Sequence, residues 1–257
     1  MMNISFCGCG FLGIYHIGVA KALLKHAPSF LSKIERVGGA SAGALIGALL
    51  VCEPNKLDVC RDFNLALADD IRKKPLRALT PNFNLLDPVK EFMDKHMPED
   101  GYKKANNVLF ISLTKFEKGL PHNEVFSTYA SNKALIECLI ASCYIPVYAG
   151  VKFPVIDGNM YTDGGLMNNL VTFKEGKTVT VSPFCGDQDI APTDDKGLGW
   201  FFRIKNQTFQ FNKSNGTRGV HAVFPPHRDI LLEYHATGYS NAVSFLKKEG
   251  YFEKYDV

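Results

Sequence analysis

The sequence lacks a strong excess of charge of either sign. Among its 257 residues, 29 Lys and Arg stand against 26 Asp and Glu, which gives a formal net charge of +3. Because this bias is small and no Lys/Arg cluster accompanies it, we expect no nucleic acid as a partner. Hydrophobic residues make up 46% of the chain, which excludes a disordered protein.

Paired cysteine motifs are also absent. The seven cysteines are odd in number, and none of them forms a C-x-x-C pair. The spacings of zinc ribbons, thioredoxin-like sites and secreted disulfide scaffolds are therefore missing. We expect reduced thiols in a cytoplasmic protein, and no metal site.

Long apolar runs are scarce. Residues 1–20 carry no charged side chain, but they lack the basic start and the small-residue cleavage site of a signal peptide. Glycines interrupt this stretch, so a buried strand followed by a buried helix explains it better. The next apolar run, residues 138–151, contains Pro146 and is too short to span a bilayer. We expect neither a signal peptide nor a transmembrane helix.

No Ser/Pro-rich linker, internal repeat or low-complexity segment divides the chain, so we expect one domain over residues 1–257. Hydrophobic patterns predict strands at residues 3–7, 34–38, 108–114, 123–128, 155–156, 160–162 and 178–182. They predict helices at residues 12–27, 42–52, 55–73, 87–96, 133–143, 199–211 and 229–247. Strands and helices alternate in the first 52 residues, which favours an α/β fold with a parallel sheet.

The segment Gly39-Ala40-Ser41-Ala42-Gly43 has the G-x-S-x-G pattern of a serine nucleophile. It lies between a predicted strand and a predicted helix, where a tight turn directs the serine outward and small neighbours let the turn close. The positive end of the helix favours a negatively charged oxygen near the serine. The alternative is a glycine-rich turn with a capping serine, and the strand-turn-helix context favours the nucleophile.

A second glycine-rich segment, Gly8-Cys9-Gly10-Phe11-Leu12-Gly13, also follows a strand and opens a helix. As a dinucleotide fingerprint it requires an acidic residue about 20 positions further on, at the end of the second strand. Glu35 has that spacing but lies at the start of the strand. As an oxyanion hole, the loop would instead direct backbone N–H groups at an intermediate formed on Ser41.

A serine nucleophile needs a base, and the sequence offers two kinds. Asp163 lies at the end of a predicted strand, directly before Gly164 and Gly165. This is a plausible place for a site residue, and an Asx turn or helix cap explains it equally well. A Ser…Asp…His order would be completed by one of three histidines, His221, His227 or His235.

Taken in order, the motifs at residues 8–13, 39–43 and 163–165 resemble those of the patatin-like phospholipase family. Residues 145–150, 182–184 and 224–226 resemble its animal, adiponutrin-type branch. The resemblance implies a three-layer α/β/α fold with a mainly parallel central sheet. The motifs would lie in a core of about residues 3–185, beneath a helical cover of about residues 186–257.

The same resemblance implies a catalytic dyad of Ser41 and Asp163, and no cofactor or metal. It assigns oxyanion N–H groups to Gly8, Cys9 and Gly10. It assigns structural support to five further glycines, Gly13, Gly39, Gly43, Gly164 and Gly165. Cys9 and Leu12 stand where plant and bacterial members have a glycine and a basic residue, which weakens any claim that a cation there binds a phosphate head group.

The implied activity is that of a serine lipid acyl hydrolase with an acyl-enzyme intermediate, acting on triacylglycerol, retinyl ester or phospholipid, with transacylation as a second outcome. Such an enzyme would bind peripherally to lipid droplets or membranes from the cytoplasm. The alternatives are a dinucleotide-binding oxidoreductase built on residues 8–13 and a lipid-binding regulator with weak catalysis. Two apolar groups could contact lipid or pack between helices: Phe83, Leu85 and Leu86, or Trp200, Phe201 and Phe202.

Overall fold

A central sheet surrounded by helices is formed by the part of the chain that the computed structural model describes, residues 1–76, 80, 84–117, 119–193 and 199–254. The strands of this sheet are β1 (Met2–Phe6), β2 (Ile34–Ala40), β3 (Leu109–Glu117), β4 (Leu120–Phe126), β5 (Val155–Ile156), β6 (Asn159–Asp163) and β7 (Lys177–Val181), and a separate two-stranded sheet consists of β8 (Phe201–Ile204) and β9 (Gln207–Gln210). Its helices are α1 (Gly13–His26), α2 (Pro28–Leu31), α3 (Ala42–Cys52), α4 (Leu57–Lys73), α5 (Leu86–His96), α6 (Gly101–Ala105), α7 (Asn132–Ser142), α8 (Lys213–Val223) and α9 (Arg228–Lys248).

The centre of the sheet is parallel and one side of it is antiparallel. The strand order is β5-β6-β3-β2-β1-β7, with β4 paired to β3 in addition. β1 pairs in parallel with β2 and β7, and β2 pairs in parallel with β3. β3 is antiparallel to β4 and β6. The predicted three-layer α/β/α fold with a mainly parallel central sheet is confirmed.

The parallel strands are apolar because helices cover both of their faces. Side chains such as Ile4, Val37, Ile111 and Val179 are almost fully buried in one core cluster with residues of α1, α3 and α7. Burial of each such side chain contributes about 1.5–3 kcal/mol relative to exposure. The two glycine-rich motifs lie at the carboxyl ends of β1 and β2, where these strands emerge from the core.

The helix predicted at residues 199–211 is wrong. This segment forms β8 and β9, an antiparallel hairpin in which Phe201 lies opposite Gln210 and Ile204 opposite Gln207. The helix α8, which was not predicted, follows the hairpin, and α9 then packs along α1. The expected cover over residues 186–257 is therefore not purely helical within the described residues.

The two apolar groups considered as lipid contacts differ in exposure. Leu86 is buried, Leu85 is partly buried against α4, and Phe83 lies outside the described residues. Trp200, Phe201 and Phe202 are exposed rather than packed between helices. Among the described helices, none is both long enough and apolar enough to cross a lipid bilayer.

Candidate active site

The carboxyl ends of β2 and β6 meet at one edge of β3. Ile111 and Ser112 of β3 pair with β2 and β4, whereas residues 113–116 pair with β6 and β4. Since a strand has two edges and β4 occupies one of them along this whole stretch, β2 and β6 share the other. β2 runs parallel to β3 and β6 antiparallel to it, so the two strands point at each other. Ser41, after β2, and Asp163, at the end of β6, are therefore brought together.

Ser41 occupies a strained turn between β2 and α3. Its φ of 52° and ψ of −129° lie outside the regions that ordinary residues prefer. The backbone N–H of Ser41 donates to Ser142 Oγ at 2.8 Å, and the Ser142 hydroxyl donates to the Ser112 carbonyl at 2.8 Å. These bonds hold the turn in place, with the Ser41 side chain facing the cavity described below.

The glycines predicted to support the site lie at close approaches. A Cβ would come within 2.0 Å of another atom at Gly164, 2.2 Å at Gly43 and 2.6 Å at Gly39. The corresponding distances are 2.7 Å at Gly165 and 3.1 Å at Gly13. At Gly43 the obstructing atom is the Phe6 carbonyl oxygen, so this glycine lets the start of α3 lie directly against the end of β1.

The Asp163 carboxylate faces Ser41 from the opposite strand end. It accepts a 2.7 Å hydrogen bond from the Gly165 N–H, and the Ser41 side chain is close enough to influence its pKa. Burial raises the pKa of Asp163 from 3.8 to about 6, although the Ser41 side chain and the Gly165 N–H both act to lower it. Thr114 Oγ1 donates to the Asp163 carbonyl at 2.8 Å, which fixes the backbone. The result is a positioned carboxylate that is more basic than an exposed one.

The glycine-rich loop lies beside Ser41. A Cβ on Gly8 would be 3.1 Å from the Ser41 Cβ. The Gly8 N–H donates to Asn169 Oδ1 at 3.0 Å, and Asn169 Nδ2 donates to the Gly8 carbonyl at 3.2 Å. The N–H groups of Cys9 and Gly10 have no acceptor within the described part of the chain. These two groups are free to bind an oxyanion, and the role of Gly8 as a direct donor stays a prediction.

Sequence reasoning missed three residues that surround the pair. Ser142 supports the turn at Ser41, Asn169 brackets Gly8, and the buried Cys143 thiol lies beside Ser41 in the lining of the cavity described below. Burial raises the pKa of Cys143, so its thiol stays protonated. A signal for Asn169 was available in the Asn168-Asn169 pair that closely follows Gly165. Ser142 and Cys143 end a helix and carry no motif.

An apolar cavity of about 570 Å³ opens at Ser41 and Asp163. Its wall extends between α3, α4 and α5, with Leu45, Ile46, Phe63, Leu67, Val89 and Met93 among its residues. Asp163 is the one ionised side chain among the described residues that line it, and no lysine, arginine or histidine does so. The histidines proposed to complete a triad are therefore not part of this cavity.

The geometry also bears on a dinucleotide site and on metal binding. Glu35 is exposed at the amino end of β2, whereas the glycine loop lies at the carboxyl end of the neighbouring β1, so the acidic partner of a dinucleotide is misplaced. The ligand atoms of Cys7, Cys9 and His16 lie within 4.8 Å of one another, in a buried cluster behind the loop. His16 Nε2 is already 2.9 Å from the Cys7 carbonyl. The expected absence of a metal stays a prediction.

Comparison with known proteins supports the sequence motifs. A family model described as patatin-like phospholipase matches residues 4–173. Patatin-like phospholipase domain-containing protein 4 of Homo sapiens is 36% identical over 98% of this chain and 99% of its own length. Patatin-like phospholipase domain-containing protein 2 of Mus musculus is 39% identical over 96% of this chain and 50% of its own length. Omega-hydroxyceramide transacylase of Mus musculus is 40% identical, with coverages of 96% and 41%.

The chain thus spans about half, or less, of the length of the last two relatives. Among solved structures, that of VipD from Legionella pneumophila covers 96% of this chain and 66% of its own, with a TM-score of 0.43 and 13% sequence identity. At that level of similarity it supports no conclusion about function.

A strained serine at the mouth of an apolar cavity, on a three-layer α/β/α fold, is an arrangement for lipid hydrolysis or acyl transfer. The chain belongs to the patatin-like phospholipase family, because the family match spans most of its length and one relative aligns from end to end.

Proposed function

We propose that the chain is a serine lipid acyl hydrolase in which Ser41 is the nucleophile and Asp163 the general base. The meeting of the β2 and β6 ends supports this proposal most directly, since it brings the Ser41 side chain next to a buried carboxylate at the cavity. With a pKa of about 6, Asp163 is largely ionised at neutral pH and still a stronger base than an exposed aspartate.

In the first half-reaction Ser41 Oγ forms a bond with the ester carbonyl carbon as its proton passes to Asp163. The carbonyl oxygen becomes an oxyanion, for which we propose the Cys9 and Gly10 N–H groups and the start of α3 as donors. Loss of one such donor typically costs about 3 kcal/mol of transition-state stabilisation. Collapse of the intermediate breaks the ester C–O bond, and the alcohol leaves with the proton from Asp163.

In the second half-reaction a hydroxyl compound attacks the acyl group on Ser41. Asp163 takes the proton of the attacking hydroxyl and returns it to Ser41 Oγ as the acyl–serine bond breaks. Water yields a free fatty acid, whereas an alcohol yields a new ester. One relative is named a transacylase, which supports both outcomes for this site.

The substrate we propose is a long-chain neutral ester such as a triacylglycerol or a retinyl ester, with phospholipid as the second class. The apolar wall between α3, α4 and α5 suits an acyl chain. Within the described residues the cavity has no cationic side chain to bind a phosphate, which favours a neutral ester over a charged head group. We further propose a single catalytic domain that acts in the cytoplasm, peripherally bound to lipid droplets or membranes.

Labelling and pH-dependent hydrolysis test the dyad. A fluorophosphonate probe is expected to label the wild type but not Ser41→Ala, because the probe captures an activated serine. Asp163→Asn is expected to lower kcat/KM by at least about a hundredfold, the usual contribution of a general base. The wild-type rate is expected to fall as pH decreases below about 6, since protonation of Asp163 removes the base.

The control variant is His227→Ala, whose side chain is exposed and does not line the cavity. It is expected to keep full activity. If the probe does not label the wild type and the protein still binds lipid, the result would favour a lipid-binding regulator with weak catalysis over a hydrolase. Loss of activity in the histidine variant would replace the dyad with a triad.

A further inference from the structure

Exposed apolar side chains surround the opening of the cavity. Four of them line the cavity and are nevertheless 37–53% exposed: Ile145, Leu166, Ile204 and Val223. They come from four segments that are separate in sequence, namely the loop after α7, the turn after Asp163, the β8–β9 hairpin and the end of α8. An apolar surface therefore begins where the cavity ends.

This surface continues outward over the hairpin and α8. Trp200, Phe201, Phe202, Phe211 and Val220 are each at least 43% exposed. We call the exposed side chains of residues 145–151, Leu166 and residues 199–224 the rim. Single exposed apolar residues are ordinary on a protein surface, whereas a contiguous group around a binding cavity marks an interaction site.

The loop of the rim is fixed in an outward conformation. Val147 has a φ of 70°, a strained value for a β-branched residue, and its side chain is 74% exposed. The Val147 N–H donates to the Gly150 carbonyl at 2.8 Å, which in turn accepts the Tyr144 hydroxyl at 2.9 Å. The Tyr148 hydroxyl donates to the Val223 carbonyl, which ties the loop to α8. Such strain persists only where the surroundings impose it.

The charges of the rim have one sign. Residues 199–224 contain four Lys and Arg and no Asp or Glu, and Lys152 directly follows residues 145–151, which carry no charge. Arg203 pairs with Asp187 at 3.9 Å, which offsets one of these four charges. The whole chain is nearly balanced, with 29 basic and 26 acidic residues. The segments that carry the exposed aromatic side chains therefore have a net positive charge, because they lack acidic residues.

We propose that the rim docks the protein onto an anionic phospholipid surface, with the cavity opening against the lipid. Trp and Phe side chains enter the boundary between head groups and acyl chains, and each nearby Lys or Arg adds attraction to anionic head groups. An ester can then pass from the lipid into the cavity without crossing water. This inference rests on the proposed action on lipid esters and deepens it by naming the surface and its partner.

Trp200 provides the test, because it is the single tryptophan of the chain and belongs to the rim. Phosphatidylcholine vesicles with added phosphatidylserine are expected to shift its emission to the blue, and brominated lipid is expected to quench it. Phosphatidylcholine alone is expected to act more weakly, and high salt is expected to reduce the shift, since exposed charges are screened.

Paired variants separate the rim from the rest of the surface. Phe201→Ser and Phe211→Ser are expected to lower vesicle partitioning by about tenfold each, because each removes an exposed ring. Leu120→Ser is the control, since Leu120 is 72% exposed on β4 and lies outside the rim. Neither phenylalanine lines the cavity, so hydrolysis of a soluble short-chain ester is expected to stay unchanged in all three variants.

The outcomes distinguish this inference from the proposed function. If the wild type binds vesicles but hydrolyses no ester, the result would contradict the proposed function and support lipid binding by the rim. Hydrolysis of a soluble ester without any vesicle-induced shift of the Trp200 emission would support the proposed function and overturn the proposal that the rim binds lipid. Equal loss of partitioning in the Leu120 variant would also overturn it. A blue shift that follows protein concentration without vesicles would show a contact between two copies and overturn the lipid assignment.

Discussion

At the level of single residues, the Asp163 carboxylate lies where its charge is costly. Burial is the main influence on its pKa and raises it from 3.8 to about 6, against the opposing effects of the Ser41 side chain and the Gly165 N–H. The poor solvation that makes the carboxylate a better base also makes the ionised form less stable in the folded protein. In our proposal, the burial of Asp163 therefore increases activity and decreases the stability of the folded protein.

Asp163→Asn is expected to stabilise the protein above pH 6. The folded pKa of about 6 exceeds the ordinary 3.8, so the native state binds this proton more tightly than the unfolded state does. Wild-type stability from this group is present below about pH 4 and is lost as pH rises through 6. Asparagine does not titrate, so the variant is expected to gain about 1–2 kcal/mol of unfolding free energy at pH 8 and little at pH 4.

Denaturant unfolding at the two pH values measures this difference. Asp157→Asn, at an exposed turn outside the cavity, is the matched control for removal of a carboxylate. A pH-independent effect of Asp163→Asn would contradict the assigned cause.

Ser41 and Asp163 could be singled out from sequence because each lies in a short glycine motif with a structural reason. Their mutual contact could not be derived from the same pattern. The roles of Ser142 and Asn169 could not be derived, because their side chains bond to the backbones of Ser41 and Gly8, which are 101 and 161 positions away in sequence. Bonds of this kind depend on the tertiary fold and leave no periodic signal.

At the level of elements, α1 and α9 pack with their backbones in contact through two glycines. A Cβ on Gly18 would lie 2.1 Å from the His235 carbonyl oxygen, and a Cβ on Gly238 would lie 2.1 Å from the Tyr15 carbonyl oxygen. The obstacles are backbone atoms of the facing helix, which cannot rotate away. The helix pair therefore depends on the absence of side chains at these two positions.

Gly238→Ala is expected to lower the free energy of unfolding by about 1–3 kcal/mol, since the methyl group forces the helices apart. Gly216→Ala in α8 is the matched control, because nothing lies within 4 Å of a Cβ there. It is expected to raise the free energy of unfolding by about 0.5–1 kcal/mol through better helix propensity. Thermal unfolding of both variants measures whether stability falls in Gly238→Ala and rises in Gly216→Ala. A Gly238 variant as stable as the wild type would contradict the close packing.

The β8–β9 hairpin shows why one element could not be predicted. Its strands are rich in aromatic residues, threonine and isoleucine, which fit a sheet, yet the turn between them carries Lys205 at a φ of 54°. Lysine rarely adopts this conformation, so no Asn-Gly or Asp-Gly signal marks the reversal. The Asn206 side chain stabilises the turn instead, by bonds to Asn168 and to the Leu170 carbonyl.

At the level of the whole molecule, the site depends on the direction of one strand. The alternation of strands and helices predicted the parallel centre of the sheet. It did not predict that β6 would run antiparallel and pair with the same edge of β3, beyond the point where β2 ends. Hydrophobic periodicity reports which residues are buried and carries no information about strand direction. The motifs therefore indicated the members of the candidate site, and the topology explains why Ser41 and Asp163 lie close together.

The same topology opens the cavity toward α3, α4 and α5, so the chain-length preference is expected to depend on residues far from Ser41. Val89→Phe adds a ring to the α5 wall. It is expected to lower kcat/KM for long-chain esters by about tenfold or more, because the added ring excludes the last methylene groups of a long acyl chain from the cavity. The kcat/KM for short-chain esters is expected to stay near the wild-type value. Val59→Phe, exposed on α4 and outside the lining, is the control and is expected to leave the profile unchanged. A uniform loss across chain lengths in the Val89 variant would instead assign that wall to stability rather than to the acyl chain.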